Sequence, residues 1–306
     1  MSALSEHSIF VSRELQVQQN WLCLQFYLSS FGHDLNLEIQ PRQFAAGFGN
    51  LNYLITFNGR TAVLRRPPMG PLAPGSNDML REGKILRCLS PSFPLVPRCL
   101  FLGDDVKILG NPFLIMDYRP GVVIGSNLPE MWANDASATK KLTAHLLEIL
   151  IELHNISPNE IGLSKLGRPE GYLERTANGW FKRAQIMWPE KLPKTAHYIM
   201  SWLEDNKVAE QAPVLLHNDF KLDNIIFNPK NLSPVALIDW DLGTRGDPLW
   251  DLAVLLSYWA EPNDPKPMLQ LEQMPTTSIG FPRRQDIICL LYTSPSPRDA
   301  TLSRMP

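Results

Sequence analysis

The sequence predicts an α+β protein with a small, mainly antiparallel β lobe followed by a larger, mainly helical lobe. Short runs of alternating apolar residues dominate the first part of the chain, and an Asn-Gly pair joins two of them. After Pro120-Gly121 the apolar residues recur at helical spacing instead. We therefore expect an N-terminal lobe over residues 1–118 and a C-terminal lobe over residues 119–290, with residues 291–306 set apart.

The first lobe is predicted from local signals. A helical pattern stops at Gly32, and Asn58-Gly59 is a strong hairpin signal because both turn positions tolerate positive φ. Asn77 or Asp78 is a candidate helix cap. The predicted elements are a helix at 11–30, strands at 35–39, 52–57 and 61–65, a loop at 67–75, a helix from 78 to 89 and a strand at 112–118.

The second lobe is predicted to contain four helices and three short apolar strands. The last helix is apolar nearly all round, so we expect it to be buried, with Asp247-Pro248 at its start. The predicted helices are 140–154, 180–188, 197–206 and 249–259, and the predicted strands are 214–216, 225–227 and 235–238.

Bulk composition excludes several classes of protein. The chain has 306 residues, 44% hydrophobic and 20% charged, with a net charge of −2. We expect no nucleic-acid partner, because no basic footprint exists, and no membrane partner, because no apolar stretch is long enough to span a bilayer. The four cysteines lack metal-type spacing, which is typical of reduced thiols. The expected location is cytoplasmic, with a mitochondrion or peroxisome left open.

One polar segment between two apolar strands carries the chemistry. His217, Asp219 and Asn224 lie between the strands at 214–216 and 225–227, and Asp239 follows the next strand. Phosphoryl transfer needs one carboxylate to accept or orient the alcohol's proton, and oxygen ligands to hold magnesium. Asp219 suits the first task, and Asn224 and Asp239 suit the second.

This His-x-Asp-x-x-x-x-Asn loop, followed by a strand-end Asp, resembles the catalytic core of the aminoglycoside phosphotransferase family and its protein-kinase relatives. The segment from Gly246 to Ala253 is similar to the next block of that family. The resemblance covers roughly residues 43–258. It implies a bilobal protein-kinase-like fold with Mg-ATP bound in the cleft between the lobes, and residues 1–118 as the nucleotide-binding lobe.

The resemblance implies a role for each residue of the catalytic segment. Asp219 would be the catalytic base, with Asn224 and Asp239 as magnesium ligands. His217 would brace the metal-binding segment, and Lys221 would touch the transferred phosphate. Two further residues give structural support: Asp251 would hold the catalytic loop through its backbone amides, and Asp247 is expected to be a helix cap rather than a catalytic group.

The nucleotide site would lie in the first lobe. Gly47, Gly49 and Asn50 belong to a segment that resembles a nucleotide-covering loop, where glycines let the backbone approach phosphates. Arg65 replaces the lysine that kinases carry on this strand, and it would contact the α/β-phosphates with Glu82 as partner. The strand at 113–118 resembles the hinge, whose backbone around Met116 and Tyr118 would receive adenine.

The proposed reaction moves the γ-phosphoryl group of ATP to a hydroxyl of a small molecule, with Mg²⁺. The Arg-Arg-Pro-Pro run at 65–68 and the Asp-Trp-Asp segment at 239–241 look closest to the branch found with acyl-CoA dehydrogenases. That similarity suggests a hydroxyacyl substrate and an association with acyl-CoA metabolism. The acceptor, the oligomeric state and the organelle stay open.

Plainer readings compete with these assignments. A Gly-x-Gly is also typical of hairpin turns, and a glutamate such as Glu82 is typical of a solvated helix surface. Arg65 also fits a charged strand end, and the leucine-rich helix near His145 and His154 fits a core helix. A catalytically silent nucleotide-binding scaffold is the first rival function, motivated by Arg65. A protein kinase is the second, but the chain has no Asp-Phe-Gly and leaves little room for an activation segment after Asp239.

The last residues form a separate expectation. Residues 291–306 are rich in Pro, Ser and Arg and show no core periodicity. They resemble a tail seen on unrelated translated sequence assemblies, so we expect this segment to be non-native and terminal helices to be missing. A genuine short tail is the alternative.

Overall fold

The structure is a computed structural model that describes residues 9–45, 49–70, 72, 75–271 and 273–293. It divides into two compact units. The first unit comprises residues 1–127 and Leu222–Gly243, and the second comprises residues 128–221 and 244–306. The segment from Leu222 to Gly243 therefore belongs to the first unit, whereas the sequence analysis placed it in the C-terminal lobe. The predicted lobe boundary at Tyr118 and the predicted tail stay predictions.

The strands and helices are numbered here in chain order. The strands are β1 (Leu35–Asn36), β2 (Arg42–Gln43), β3 (Leu51–Phe57), β4 (Arg60–Arg66), β5 (Cys99–Gly103), β6 (Phe113–Asp117), β7 (Val122–Val123), β8 (Val214–Leu216), β9 (Ile225–Phe227), β10 (Pro234–Leu237) and β11 (Thr244–Gly246). The α-helices are α1 (Trp21–Ser30), α2 (Met79–Leu89), α3 (Val106–Leu109), α4 (Ala136–Asn155), α5 (Tyr172–Met187), α6 (Lys194–Asp205), α7 (Leu249–Tyr258), α8 (Lys266–Leu269) and α9 (Arg284–Thr293).

A six-stranded antiparallel sheet forms most of the first unit. Its strands run in the order β1-β3-β4-β6-β5, and β2 pairs with β3. The predicted hairpin is confirmed, since Asn58 and Gly59 connect β3 to β4 with φ of 49° and 70°. The cap of α2 is confirmed as well, because the Asp78 side chain accepts a hydrogen bond from the Arg81 N–H. The sequence did not predict β5 or α3.

The predicted first helix is wrong over its first half. Only α1 is α-helical, because Asn20 caps it at residue 20 by accepting the Cys23 N–H at 3.1 Å. The preceding segment forms a backbone hydrogen bond to strand β2 instead: the Val11 N–H donates to the Gln43 carbonyl at 2.9 Å. The predicted strand at 35–39 is also too long, since the Asn36 side chain accepts the Glu38 N–H and turns the chain.

A second, three-stranded antiparallel sheet in the first unit positions two candidate metal ligands. Its order is β10-β9-β7, and Ile225 pairs with Leu237. This register brings the residues that flank the pair together, and the Ile238 N–H donates to the Asn224 carbonyl at 2.9 Å. Asp239 follows directly, so the sheet places it beside Asn224 in the fold.

The second unit combines helices with the antiparallel pair β8 and β11. The long helix α4 packs beside β8 and buries an apolar face. That face is formed by Leu142, Leu146, Leu147, Ile149, Leu150 and Leu153. Among the described residues no helix is both long and apolar enough to cross a membrane.

Helix α7 corrects one expectation. The sequence predicts a fully buried helix, but only Asp251 and Leu255 are buried along it. Residues four apart share one helix face, so the face that carries Asp251 points inward. The apolar residues between them, such as Leu252 and Val254, are consequently half-buried, and Ala253 is exposed.

Gly103 offers a test of the packing within the first unit. A Cβ built there would lie 2.3 Å from the buried ring of Phe113. We expect Gly103→Ala to destabilise the protein by about 1–3 kcal/mol, because an overpacked core has to shift. Thermal unfolding followed by circular dichroism measures the loss. Gly125→Ala is the control, since no atom lies within 4 Å of its added methyl. Equal midpoints for both variants would contradict the packing described.

Candidate active site

The loop that carries Asp219 is held by the buried carboxylate of Asp251. One carboxylate oxygen accepts the His217 N–H at 2.9 Å, and the other accepts the Asn218 N–H at 2.7 Å. Asp251 comes from the first turn of α7 and is fully buried. A carboxylate that accepts backbone N–H groups makes charge-assisted hydrogen bonds, which are stronger than neutral ones. The loop is therefore fixed through its backbone.

The loop itself has an uncommon backbone conformation. Asn218 has φ of 71°, in the left-handed region that a non-glycine residue rarely adopts. Its side chain accepts a hydrogen bond from the Tyr172 hydroxyl at 2.8 Å, and the Asp219 N–H donates to the His217 ring nitrogen Nδ1 at 3.3 Å. Such conformations persist where surrounding contacts compensate for them, and they cluster at functional sites.

Asp219 itself stays accessible. Its side chain is 24% exposed, and the Lys221 ammonium lies 3.4 Å from one of its carboxylate oxygens. Lys221 is 13% exposed and also lies over the ring of Tyr258, 4.9 Å from the ring centre. The second unit thus presents a carboxylate with a cation beside it, on a loop with a fixed backbone.

His154 and Asp247 complete the second unit's part of the site. His154 lies near the end of the leucine-rich helix α4, and its Nε2 is 3.1 Å from an Asp251 carboxylate oxygen. Asp247 is nearly buried; it accepts the Leu249 N–H at 2.9 Å at the start of α7 and the Gln211 N–H at 3.0 Å. This geometry is that of a helix cap.

The first unit holds the other candidate residues. Asn224 is nearly buried at the end of a 3-10 turn, directly before β9. Asp239 follows β10 with φ of 67°, which is in the left-handed region. Its side chain is 32% exposed. A strained residue with an accessible carboxylate is a common feature of functional sites.

Arg65 connects β4 to three other parts of the first unit. Its guanidinium is almost completely buried and donates to Glu82 at 2.9 Å and to Asn52 at 3.3 Å. It also forms an ion pair with Asp239. Glu82, on α2, is equally buried and accepts the Trp240 N–H at 3.3 Å with its other oxygen. The fork of donors on arginine makes these contacts from one side chain, which a lysine cannot do.

Negative charge exceeds positive charge around Arg65. Burial raises the pKa of Glu82 to about 7, although Arg65 opposes this shift. Burial and the neighbouring Asp239 carboxylate raise the pKa of Asp241 to about 6. Burial is the first cause of both pKa shifts, and the Arg65 guanidinium opposes them without cancelling them. Glu82, Asp239 and Asp241 therefore all act electrostatically on the one guanidinium of Arg65.

The segment that resembles a nucleotide-covering loop is described only in part. Gly47 lies outside the described residues. Gly49 is exposed, and Asn50 is buried, donating to Asp241 at 3.2 Å and accepting from Asn77 at 2.9 Å. Asn50 thus joins this segment to the carboxylates after β10.

The candidate hinge lies at the end of β6. Met116 is buried and pairs with Val63 on β4. Tyr118 is more exposed, and its ring stacks on Phe44 with 6.4 Å between the ring centres. The backbone N–H of Asp117 donates to the Arg98 carbonyl at 3.1 Å.

The predicted residues divide between the two units. Asp219, His217, Lys221, Asp247 and Asp251 belong to the second unit, and the other described ones belong to the first. Within the second unit, Asp251 contacts the backbone of His217 and Lys221 lies beside Asp219; within the first unit, Arg65 contacts Glu82 and Asp239. In the described part of the chain, no group of three or more His, Cys, Asp or Glu side chains is arranged to hold a metal alone.

The profile of the "Phosphotransferase enzyme family" matches residues 40–287, more than half of the chain. The chain belongs to this family. Membership confirms the predicted class of enzyme, a small-molecule kinase.

Curated relatives carry the names of acyl-CoA dehydrogenases. "Acyl-CoA dehydrogenase family member 11" of Pongo abelii is 30% identical over 292 residues, which is 94% of this chain and 36% of that protein. "Acyl-CoA dehydrogenase family member 10" of Mus musculus is 29% identical over 240 residues, 78% of this chain and 22% of that protein. The chain therefore spans only a fraction of their length. These names confirm the predicted branch.

Solved structures confirm the predicted fold class. A Ralstonia eutropha structure described as an aminoglycoside phosphotransferase has a TM-score of 0.69 and 21% identity, covering 90% of this chain and 80% of that one. The streptomycin–ATP complex of the phosphotransferase APH(2″)-IIa has a TM-score of 0.59 and 18% identity, covering 91% and 84%. At these identities the similarity establishes the fold alone.

Sequence reasoning missed several partners of the predicted residues. Asp241 was noted only as part of a segment, and Tyr172, Asn52 and His154 had no assigned role. Their contacts join positions far apart in the chain, as between His154 and Asp251. No local spacing signals such pairs, so only the fold reveals them.

Asp251 offers a test of the loop anchor. Asp251→Asn would place an amide group, itself a donor, against backbone and histidine donors. We expect a destabilisation of about 1–3 kcal/mol, because a buried N–H loses its acceptor. Hydrogen–deuterium exchange at the amides of His217 and Asn218 should become faster. Asp205→Asn, on exposed α6, serves as the matched control. Unchanged exchange at both amides would show that the carboxylate does not hold the loop.

Proposed function

We propose that this chain transfers the γ-phosphoryl group of ATP, with Mg²⁺, to a hydroxyl group of a small molecule. The observation that carries the proposal is the anchored loop: the buried Asp251 carboxylate binds the backbone of residues 217 and 218 and leaves Asp219 accessible. A kinase contributes mainly positioning and electrostatic stabilisation to phosphoryl transfer. A carboxylate on a fixed backbone supplies the positioning.

Asp219 is the proposed catalytic base. It would accept a hydrogen bond from the substrate hydroxyl and take its proton as the new phosphate ester forms. The Lys221 ammonium, 3.4 Å from the Asp219 carboxylate, orients that group and adds positive charge beside it. This charge suits the developing negative charge of a transferred phosphoryl group. His217 supports the arrangement by accepting the Asp219 N–H.

Asn224 and Asp239 are the proposed magnesium ligands. Mg²⁺ needs octahedral oxygen coordination and usually keeps several waters, so it is bound by one or two protein groups and the substrate phosphates. This matches a site without a cluster of three acidic or histidine ligands among the described residues. The unbalanced charge around Asp239 and Asp241 also fits a divalent cation. When bound, the ion would neutralise charge on the nucleotide phosphates.

The first unit is the proposed nucleotide site. Arg65, held by Glu82, would contribute the positive charge for the nucleotide phosphates, and Gly47 and Gly49 would let the covering loop approach them. Asn50 would fix that loop through Asp241. The backbone between Met116 and Tyr118 would receive the adenine ring.

The finer proposal concerns the acceptor. The curated relatives are named acyl-CoA dehydrogenases. A hydroxyacyl compound is therefore our proposed acceptor, with a connection to acyl-CoA metabolism.

The alternative function is a catalytically silent scaffold that binds a nucleotide. One observation favours it: the Arg65 guanidinium forms an ion pair with Asp239, a proposed metal ligand. In this alternative, the Arg65 guanidinium supplies the positive charge beside Asp239 that a magnesium ion would otherwise supply. The two functions differ in whether magnesium enters the site.

The first functional prediction concerns the base. We expect Asp219→Asn to lower the turnover of phosphoryl transfer by about 10²–10⁴-fold, because the amide cannot accept the proton. Nucleotide binding, measured by calorimetry, should be nearly unchanged. Labelled ATP and a panel of hydroxylated metabolites provide the assay, and Asp205→Asn is the control. Equal turnover in wild type and Asp219→Asn would remove the catalytic assignment and favour the scaffold.

The second functional prediction concerns the metal. Asp239→Asn should weaken magnesium-dependent ATP binding by about tenfold or more, because the metal loses a charged ligand. A tenfold weaker affinity corresponds to a loss of roughly 1.4 kcal/mol of binding free energy. Calorimetry with and without Mg²⁺, after treatment with EDTA, measures this directly. Under the scaffold alternative, ATP would bind equally well with and without magnesium in both proteins.

A further inference from the structure

A polar cavity lies in the second unit. One of the side chains that line it is His154, which also contacts Asp251. The cavity measures about 90 Å³, whereas roughly 10–15 Å³ suffices for one water molecule. The polar side chains that line it are His154, Ser157, Asn159 and Arg245, and Pro158, Pro213, Ile156 and Val214 complete the wall. The described residues that line the cavity include no acidic side chain. The space is therefore large enough for a small polyatomic ligand, and half of its lining residues have side chains that can donate hydrogen bonds.

Arg245 is the main source of positive charge there. It lies on β11, opposite Leu215 of β8, and its Nε donates to the Leu166 carbonyl at 2.7 Å. This bond fixes the guanidinium plane. Within the described residues, no carboxylate forms an ion pair with Arg245, so both Nη groups retain their donor capacity. An immobilised guanidinium with two free donors is well suited to an oxyanion.

The other polar groups have spare capacity as well. His154 uses Nε2 for Asp251, and in the described part of the chain its Nδ1 has no hydrogen-bond partner. The Ser157 hydroxyl and the Asn159 amide also make no side-chain hydrogen bond to any described residue. These groups come from the end of α4 and the turn that follows it. Two separate parts of the chain, 154–159 and Arg245, thus converge on one space.

We propose that this cavity is a binding site for a small oxyanion of the phosphate type. Arg245 would bind the anion through its Nη groups, and Ser157, Asn159 and His154 would donate the remaining hydrogen bonds. The proposal does not depend on the catalytic assignment of Asp219.

The position of the cavity gives the site a regulatory consequence. His154 bonds the same Asp251 carboxylate that accepts the His217 and Asn218 N–H groups. An anion at Nδ1 would favour the protonated imidazole, which holds Asp251 more strongly through a charged hydrogen bond. The anion would thereby stabilise the loop that carries Asp219.

Inorganic phosphate is the probe for the test. The full chain is titrated with phosphate at constant ionic strength, and binding is measured by calorimetry and by the saturable rise in the unfolding temperature. Wild type should bind phosphate saturably. Asn159→Asp, a near-isosteric exposed change, places a negative charge at the rim, and Arg245→Gln removes the guanidinium. Each should weaken binding by about tenfold or more, the effect expected for a charge-assisted hydrogen bond.

Asn134→Asp is the matched control, because it adds the same charge at an exposed position away from the cavity. Its phosphate affinity should equal that of wild type. Circular dichroism shows whether Arg245→Gln is folded. If Arg245→Gln does not fold, the phosphate affinity of Asn159→Asp tests the proposal. Phosphate binding that neither substitution weakens would lie elsewhere, such as at the proposed nucleotide site, and would overturn the proposal. The absence of saturable binding in wild type would overturn it too.

A second readout tests the connection to the loop. The chain has six histidines, so the His154 imidazole can be assigned in a ¹⁵N NMR spectrum by comparison with His154→Gln. Phosphate should shift this signal in wild type and slow hydrogen exchange at the amides of His217 and Asn218. A bound anion that leaves both unchanged would contradict the regulatory consequence.

Discussion

Asp251 is completely buried, yet each of its two oxygens accepts a hydrogen bond from a backbone N–H group, and Oδ2 also lies within hydrogen-bond distance of His154. A carboxylate without water is costly unless such partners surround it. The second unit supplies these partners from two places: the end of α4 and the loop after β8. The conformation of that loop, including the left-handed Asn218, depends on this one side chain, and so does the direction in which Asp219 points.

The first unit is organised around the opposite charge. Arg65 is a buried cation, and Glu82, Asn52 and Asp239 take up its donors. Each partner comes from a different element: α2, β3 and the residues after β10. The guanidinium therefore fixes the position of these elements as well as balancing charge.

Local chemistry made much of the fold predictable. Asn58-Gly59 determines a turn and Asp78 caps a helix because each signal acts within a few residues. The failures have a tertiary origin. Residues 11–17 have a helical pattern, but Gln43 binds their backbone groups. Helix α7 has an apolar sequence, but the face that points inward is the one that carries the buried Asp251. The candidate residues were found because the catalytic segment is contiguous, whereas His154 and Tyr172 meet that segment only through the fold.

The first compact unit is discontinuous in sequence. The chain leaves it after residue 127 and returns only for Leu222–Gly243, which supplies β9 and β10. In a fragment ending at residue 127, β7 would lack its ladder partner β9, and Arg65 would lack Asp239. The two units therefore cannot be exchanged between relatives by a single splice point. Any recombination that preserves the Arg65 network has to carry both stretches together.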